Sequence, residues 1–316
     1  TTEPQINYRE AYVPAKNIKV YIDFLSIIKS EPKIKKINLF LDQIDVTELK
    51  KISVSFKPSN FTSFINNKVK KGKFNTEIEI YLNSNNLFEN FIARGSVSNL
   101  ETEIISNIKL KKTNFNFFAD KSDILIKNIF SDAGPFSIKE GDLKLKLSPE
   151  IMLESNFKTT VRYNDKFTNY ANLIKNFNYV KELKNLEANL NNSFSINFDK
   201  TYKVKKYNFK SNGMIIKSNL DFKKPVKNNL FENPIDQISF INSKIKTNLS
   251  YKKNSISISG KYTLNEGNPL IFDLENIFEK DLLKLKINAD YNYPIELKII
   301  NYKKPDNSSA NISLNL

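Results

Sequence analysis

NSISISGKYTL, residues 254–264, sets Ile256, Ile258, Tyr262 and Leu264 on alternate positions, with Gly260 in register among them. Ser255, Ser257, Ser259, Lys261 and Thr263 fill the places between. A period of two over this length is the pattern of a half-buried β-strand, with one face toward water and the other toward something apolar. What rests on the apolar face decides the fold, and the usual answer is a second sheet or a layer of helices.

The same rhythm recurs along the chain. NTEIEIYL puts Ile78, Ile80 and Leu82 on one face, and GDLKLKLSP does so with Leu143, Leu145 and Leu147. NFKTTVRY adds Phe157, Val161 and Tyr163. Turns rich in Asn, Asp, Gly, Pro and Lys separate these runs. Helical spacing is rarer. Ser59 as cap, with Phe61, Phe64, Ile65 and Val69 before Gly72, predicts a short amphipathic helix. Residues 165–186 predict the clearest one, with Asp165 as cap and Phe167, Tyr170, Ala171, Ile174 and Phe177 three and four apart. FDLENIFEKDL, residues 272–282, predicts another short helix.

Roughly fifteen strand patterns stand against three or four short helices. Many strands exceed the common length of about 5 or 6 residues, and 12 residues already reach ~40 Å. The fold class expected is mainly β: an extended, twisted antiparallel sheet curled into an open groove, with a few short amphipathic helices. The expected order is a strand and helix module over 1–72, a β-meander over 73–164, the helix over 165–186 and a second meander over 187–316, forming one elongated unit. A sheet of this size must curl, pair or close. Closed as a sandwich or barrel, its apolar positions are ordinary core. Open as a trough, they face a ligand.

Composition removes most chemistry. The chain has no His and no Cys, so it has no Ser-His-Asp triad, no imidazole base, no disulfide and no thiolate metal site. Of the acidic groups, Asp42, Asp45 and Glu48 have the spacing of a helix start, Asp45 capping with Glu48 in the capping-box place. Asp120 and Asp123 read as a turn between two strands. No Gly-rich phosphate loop or EF-hand spacing is present. The expectation is a protein that is not an enzyme, with no cofactor and no metal.

The net charge of +15 admits a nucleic acid or an anionic membrane as partner. A plainer source is an AT-rich genome, which gives much Lys, Asn and Ile and little Gly. The lysines also cluster where strands turn, as at Lys70, Lys71 and Lys73 or Lys252 and Lys253, where they guard sheet edges. The expectation is no nucleic-acid partner. No run approaches the ~18 apolar residues that span a bilayer. The start at Thr1 and the finish on a strand pattern fit a segment of a longer protein whose anchor lies upstream.

IKVYIDFLSIIKSEPKIKKINLFLDQIDVTELKKI, near the N-terminus, resembles the opening of an AsmA-like module, the family that includes the YhdP and TamB envelope proteins. The order is a strand, a Leu-Ser apolar step, a strand of the form KIKKINL and a short helix. FIARGSVSNL, NIKLKKTNFNFF and IFSDAGPFSIKEGDLKLKL resemble that family's repeated hairpins, although Asn and Lys stand at most of the places where the family carries glycine. The resemblance implies a bridge-like lipid transporter at the periplasmic face of the Gram-negative inner membrane, reaching toward the outer membrane. Its partners would be phospholipid acyl chains, the inner membrane through an anchor, and other envelope proteins. The lipid-facing residues would be Ile78, Ile80, Leu82, Leu143, Leu145, Leu147, Ile256, Ile258 and Leu264. A structural or adhesive β-module without lipid is the alternative, and a basic nucleic-acid binder the least favoured.

Overall fold

The computed structural model describes residues 4–8, 11–54, 60–105, 108–164, 182–201, 203–227, 233–279, 282–306 and 308–316. The chain is mainly β. Its first strands are β1 (Gln5–Tyr8), β2 (Ala11–Ile22), β3 (Ile34–Asp45), β4 (Val69–Leu82), β5 (Phe88–Ile105), β6 (Ile108–Asp120), β7 (Asp123–Ala133) and β8 (Phe136–Lys146). Then come β9 (Ile151–Asn164), β10 (Leu183–Phe198), β11 (Val204–Val226), β12 (Ile235–Ser250), β13 (Lys253–Leu264), β14 (Leu270–Glu279) and β15 (Leu282–Tyr291). A small ribbon of β16 (Ile295–Leu297) and β17 (Tyr302–Lys304) precedes β18 (Ala310–Asn315). The short helices α1 (Phe24–Ile28), α2 (Val46–Val54) and α3 (Asn60–Lys68) lie between β2 and β4.

Each strand from β1 to β15 is bonded to the next in sequence, and β18 follows β15, so one large antiparallel sheet runs in an open order that does not return to its start. The meander read from the sequence is therefore the fold. Two compact units share it. Unit 1 comprises Thr1–Gly134, Ile138–Phe157 and Asn197–Val204; unit 2 comprises Pro135–Ser137, Lys158–Ile196 and Lys205–Leu316.

Local expectations fare unevenly. α2 begins at Val46, directly after Asp45, with Glu48 in its first turn. Asp120 accepts the amides of Ser122 and Asp123 at 2.7 and 2.8 Å, closing the β6–β7 turn. Where a helix is expected over 272–282, residues up to Glu279 belong to β14 and Leu282 opens β15: Phe272 and Leu274 pair with Gly260 and Ile258 on one side and with Ala289 and Ile287 on the other. The segment's apolar residues satisfy both periods, and two neighbouring strands decide between them. Ser59 and residues 165–181 lie outside the described residues, and Leu183–Leu186, the end of the other expected helix, open β10.

Strands this long would twist out of register if they ran straight, and bulges correct them. Gln43, Asn99, Lys112, Asn128 and Asn242 all sit mid-strand with φ between 45° and 57°. At each, one strand carries an extra residue, as between Leu41 and Ile44 or between Ile241 and Lys244. A bulge bends its strand and increases the local twist. It also shifts the alternation by one. In β12 the apolar positions are Ile238 and Phe240 before Asn242, but Ile245 and Leu249 after it. Three of the bulged amides donate to a side chain on the next strand: Gln43 to Asn75 at 2.6 Å, Asn99 to Asn114 at 3.0 Å and Asn128 to Asp142 at 3.2 Å. In unit 2 the bulge drives Ser243 so close to β13 that a Cβ on Gly260 would lie 2.5 Å from the Ser243 Cα. Only glycine fits there.

These bulges need the left-handed backbone region, which Gly and Asn enter easily and β-branched residues do not. Asn128→Val should therefore cost about 1 to 3 kcal/mol, while Asn128→Gly should stay within about 0.5 kcal/mol of the parent. Urea unfolding of the three proteins checks this, and equal midpoints for Val and Gly would refute the strained bulge.

Candidate functional site

Residues directly opposite across a ladder share a face, so the pairing registers assign each side chain to a side. In unit 1 one row runs Ile18, Leu39, Ile78, Ala93, Ala119 and Ile124 across β2 to β7 without a polar interruption. The neighbouring row is Val20, Ile37, Ile80 and Phe91. In unit 2 the matching row is Gly213, Ile245, Ile258, Leu274, Ile287 and Leu314 across β11 to β15 and β18.

The opposite faces are ionic. On unit 1 Lys36 meets Glu79 at 3.2 Å, and Arg94 meets Glu77 at 2.8 Å and Glu79 at 3.5 Å. Tyr81 donates to Glu79 at 2.5 Å, and this bond, ahead of the nearby Lys36 and Arg94 charges, holds the Glu79 carboxyl below its usual range. Lys127 meets Asp142 at 2.8 Å and Lys144 meets Asp123 at 3.8 Å. On unit 2 the reverse of β13 carries Ser255, Ser257, Ser259 and Lys261, beside Lys244 and Lys246 of β12. Charged and hydroxyl side chains gather on one side of each unit, with Phe40, Phe118 and Leu125 among them in unit 1 and Ile271 and Ile277 in unit 2; the rows on the other side are apolar.

Little covers the apolar sides among the described residues. In unit 1, α2 and α3 are the described elements packed over neighbouring strands. They close one end, where Ala15, Leu41 and Ile44 form a small cluster with Leu49 of α2 and Phe74. The rows through Ile78 and Ile80 stay half-buried except at Val20, which is exposed. In unit 2 one end is closed by the segment that carries β16 and β17. Tyr293 and Ile295 pack on Tyr262, Leu264, Phe272 and Tyr291. Lys304 is buried there, donating to the carbonyls of Tyr293 at 2.9 Å and Pro305 at 3.2 Å, with its ammonium over the Tyr291 ring. The same face carries a second buried cluster, Val161, Ala188 and Ile215, with Ile245 and Ile258 against it. Toward β14, β15 and β18 it opens: Leu274 and Ile287 are half-buried, while Phe278, Leu283 and Leu314 are exposed.

The nine residues singled out in the sequence divide accordingly. Ile78 and Ile80 lie on the apolar side of unit 1. Leu82 follows on the same alternation past a register shift and pairs with Phe88. Asp142 and Lys144 turn to the ionic side, so Leu143 and Leu145 point to the apolar one. Leu147 lies just past β8, its amide donating to Ser122 at 2.7 Å. In unit 2 Ile256 and Ile258 are half-buried on the apolar side, but Leu264 is part of the closed end and is ordinary core. Ile258 also touches the cluster of Val161, Ala188 and Ile215. Sequence reading missed Ile37, Leu39, Ile245, Leu274 and Ile287. The bulge hides Ile245 by changing the phase of β12, and the helical reading of 272–282 hid Leu274.

No group of three acidic residues gathers to hold a metal ion among the described residues, and no helix there is long and apolar enough to cross a membrane. No protein-family model, curated protein or solved structure matches the chain.

Titration of the closed end gives it a pH signature. Burial pushes the Tyr262 hydroxyl up to about 12, helped by Tyr291, Tyr293 and Asp290, and burial likewise raises Tyr291 to about 12. An unfolded tyrosine titrates near pH 10. Between about pH 10 and about 12 the folded chain therefore keeps protons that the unfolded chain has released, and stability falls as pH rises through that window. Tyr262→Phe removes one of these groups, along with its 2.6 Å bond to the Asp290 carbonyl. The variant should start less stable but lose less melting temperature between about pH 9 and 11. Parallel losses in the two proteins would contradict a neutral, buried Tyr262.

Proposed function

We propose that this chain shields phospholipid acyl chains against the apolar side of its sheet, and so conducts lipid without catalysis between the inner and outer membranes of a Gram-negative envelope. The observation that carries the reading is the pair of apolar rows, each crossing six strands, half-buried except at the exposed Leu314 and backed by a face rich in charged and hydroxyl side chains. An ordinary core would be covered by a second layer. Here, among the described residues, the covers stand at one end of each unit.

The energetics favour such a role. An acyl chain gains ~0.8 kcal/mol for each CH₂ kept from water. A chain of about sixteen carbons thus faces roughly 10 kcal/mol to cross water bare, and a continuous apolar strip removes most of that barrier. The work needs no nucleophile, no general base and no metal. The resemblance of residues 18–52 to an AsmA-like opening supports the same reading, and the envelope location, the anchor and partner envelope proteins enter through it.

The test uses replacements outside the closed ends. Ile80→Asp and Ile256→Asp put a carboxylate in the apolar rows where water can partly solvate it, at an expected cost of under about 2 kcal/mol. Ile44→Asp, at a site only 2% exposed, should cost several kcal/mol more. Wild type purified with native lipid should carry phospholipid detectable by mass spectrometry, and the first two variants should lose most of it while remaining folded. A well-folded wild type free of lipid, with Ile80→Asp as damaging as Ile44→Asp, would leave a structural β-module in its place.

A further inference from the structure

α1 is built against the usual logic of a short surface helix. Its five residues are Phe24, Leu25, Ser26, Ile27 and Ile28, and the polar one is the one turned inward. Ser26 is 5% exposed, while Phe24, Leu25, Ile27 and Ile28 are exposed by 71, 64, 51 and 65%. The arrangement is locked. The Ser26 hydroxyl donates to the Asp23 carbonyl at 2.6 Å and accepts the Lys33 amide at 2.8 Å, while the Asp23 amide donates to the Lys33 carbonyl at 2.9 Å. A serine that clamps the base of the loop leaves the four large apolar side chains no inward place. The β4–β5 turn stands at the same end, with Asn86 accepting the Ile34 amide at 3.2 Å, and it exposes Leu87 and Phe88. Single exposed apolar residues are common, but a contiguous set of this kind marks a contact surface.

We infer that this tip inserts into the interfacial region of a lipid bilayer carrying anionic headgroups. Two features select that occupant. The first is charge: between Lys19 and Lys36 the chain holds Lys19, Lys29, Lys33, Lys35 and Lys36 against Asp23 and Glu31, and Lys36 is taken up by Glu79. Basic residues beside an apolar wedge add attraction to an anionic leaflet. The second is shape. At about 100° per residue the four side chains spread over roughly 160° of the helix. That is broader than the stripe by which a helix lies in a protein groove, and a fluid hydrocarbon layer accepts an apolar body from every side. The inference is separate from the acyl-chain reading, since a tip can dock on a membrane whether or not the sheet carries lipid.

The chain contains no Trp, so Leu25→Trp installs a single fluorescent reporter at the tip. With vesicles of phosphatidylglycerol and phosphatidylethanolamine, its emission should move to shorter wavelength and be quenched by lipids brominated on the acyl chains. Vesicles of phosphatidylcholine alone should give a weaker response. Phe130→Trp, on an exposed residue of β7, should not respond. The double change Phe24→Asn with Ile28→Asn should lower flotation with anionic vesicles by about tenfold or more, with the melting temperature held. Emission from the Leu25→Trp protein that stays unchanged on adding anionic vesicles overturns the inference. So does a blue shift without vesicles that grows with protein concentration, which would make a second copy of the chain the occupant. Loss of bound phospholipid in Ile80→Asp with vesicle docking intact would separate this site from the sheet face.

Discussion

The extra residue in a bulged strand is the feature on which the sheet depends. It must take a left-handed conformation, and it turns its amide out of the ladder. An amide turned out of the ladder still needs an acceptor. Asn75, Asn114 and Asp142 meet that need from the next strand over, at Gln43, Asn99 and Asn128. Each such bond fixes where a strand bends. Each also fixes where alternation changes phase, so that Val97 and Leu100, or Phe240 and Ile245, stay on one side although their numbers differ in parity. Without the shift, the apolar run of every bulged strand would cross to the ionic side halfway along.

One-sidedness follows. With the phase corrected, the acids and bases of unit 1 collect on one face, where Lys36, Glu77, Glu79, Tyr81 and Arg94 form a single cross-strand set. Exposed pairs of this kind add little stability individually. They keep that face wet although Phe40, Phe118 and Leu125 lie among them, and most of the other apolar residues of these strands share the opposite side. Among the described residues, α2 and α3 close one end of that side, and in unit 2 the β16–β17 segment closes one end of its own. The chain gains its order from long ladders and from compact clusters at the ends, such as Tyr262, Phe272 and Tyr291.

Much of this was legible in the alternation alone. The strand excess gave the fold class, and the faces of Ile78, Ile80, Leu143, Leu145, Ile256 and Ile258 follow from a period of two. What was not legible has physical causes. Leu264 carries the same pattern as Ile258, and only the return of Tyr293 and Ile295 over it makes it core. The 272–282 segment meets helical and strand periods equally, and long-range pairing settles it. Phase shifts at Asn242 or Lys112 look like ordinary polar interruptions until the partner strand is known. α1 reads as a mere apolar step, because sequence does not tell that Ser26 points in and its neighbours out.

The scarcity of glycine belongs to the same design. With only 7 glycines, the chain places Gln, Asn and Lys in left-handed positions that glycine would fill at no steric cost. The substitution has a compensation in the unfolded state, where any side chain leaves fewer conformations to lose than glycine does. Among the described residues one side of each unit is thinly covered, so a deep core contributes little there. Restricting the unfolded chain is then a direct route to stability that needs no added cover. Gly260 marks the boundary of that strategy: there the bulge of β12 presses the Ser243 backbone onto the strand, and no residue with a Cβ can replace it.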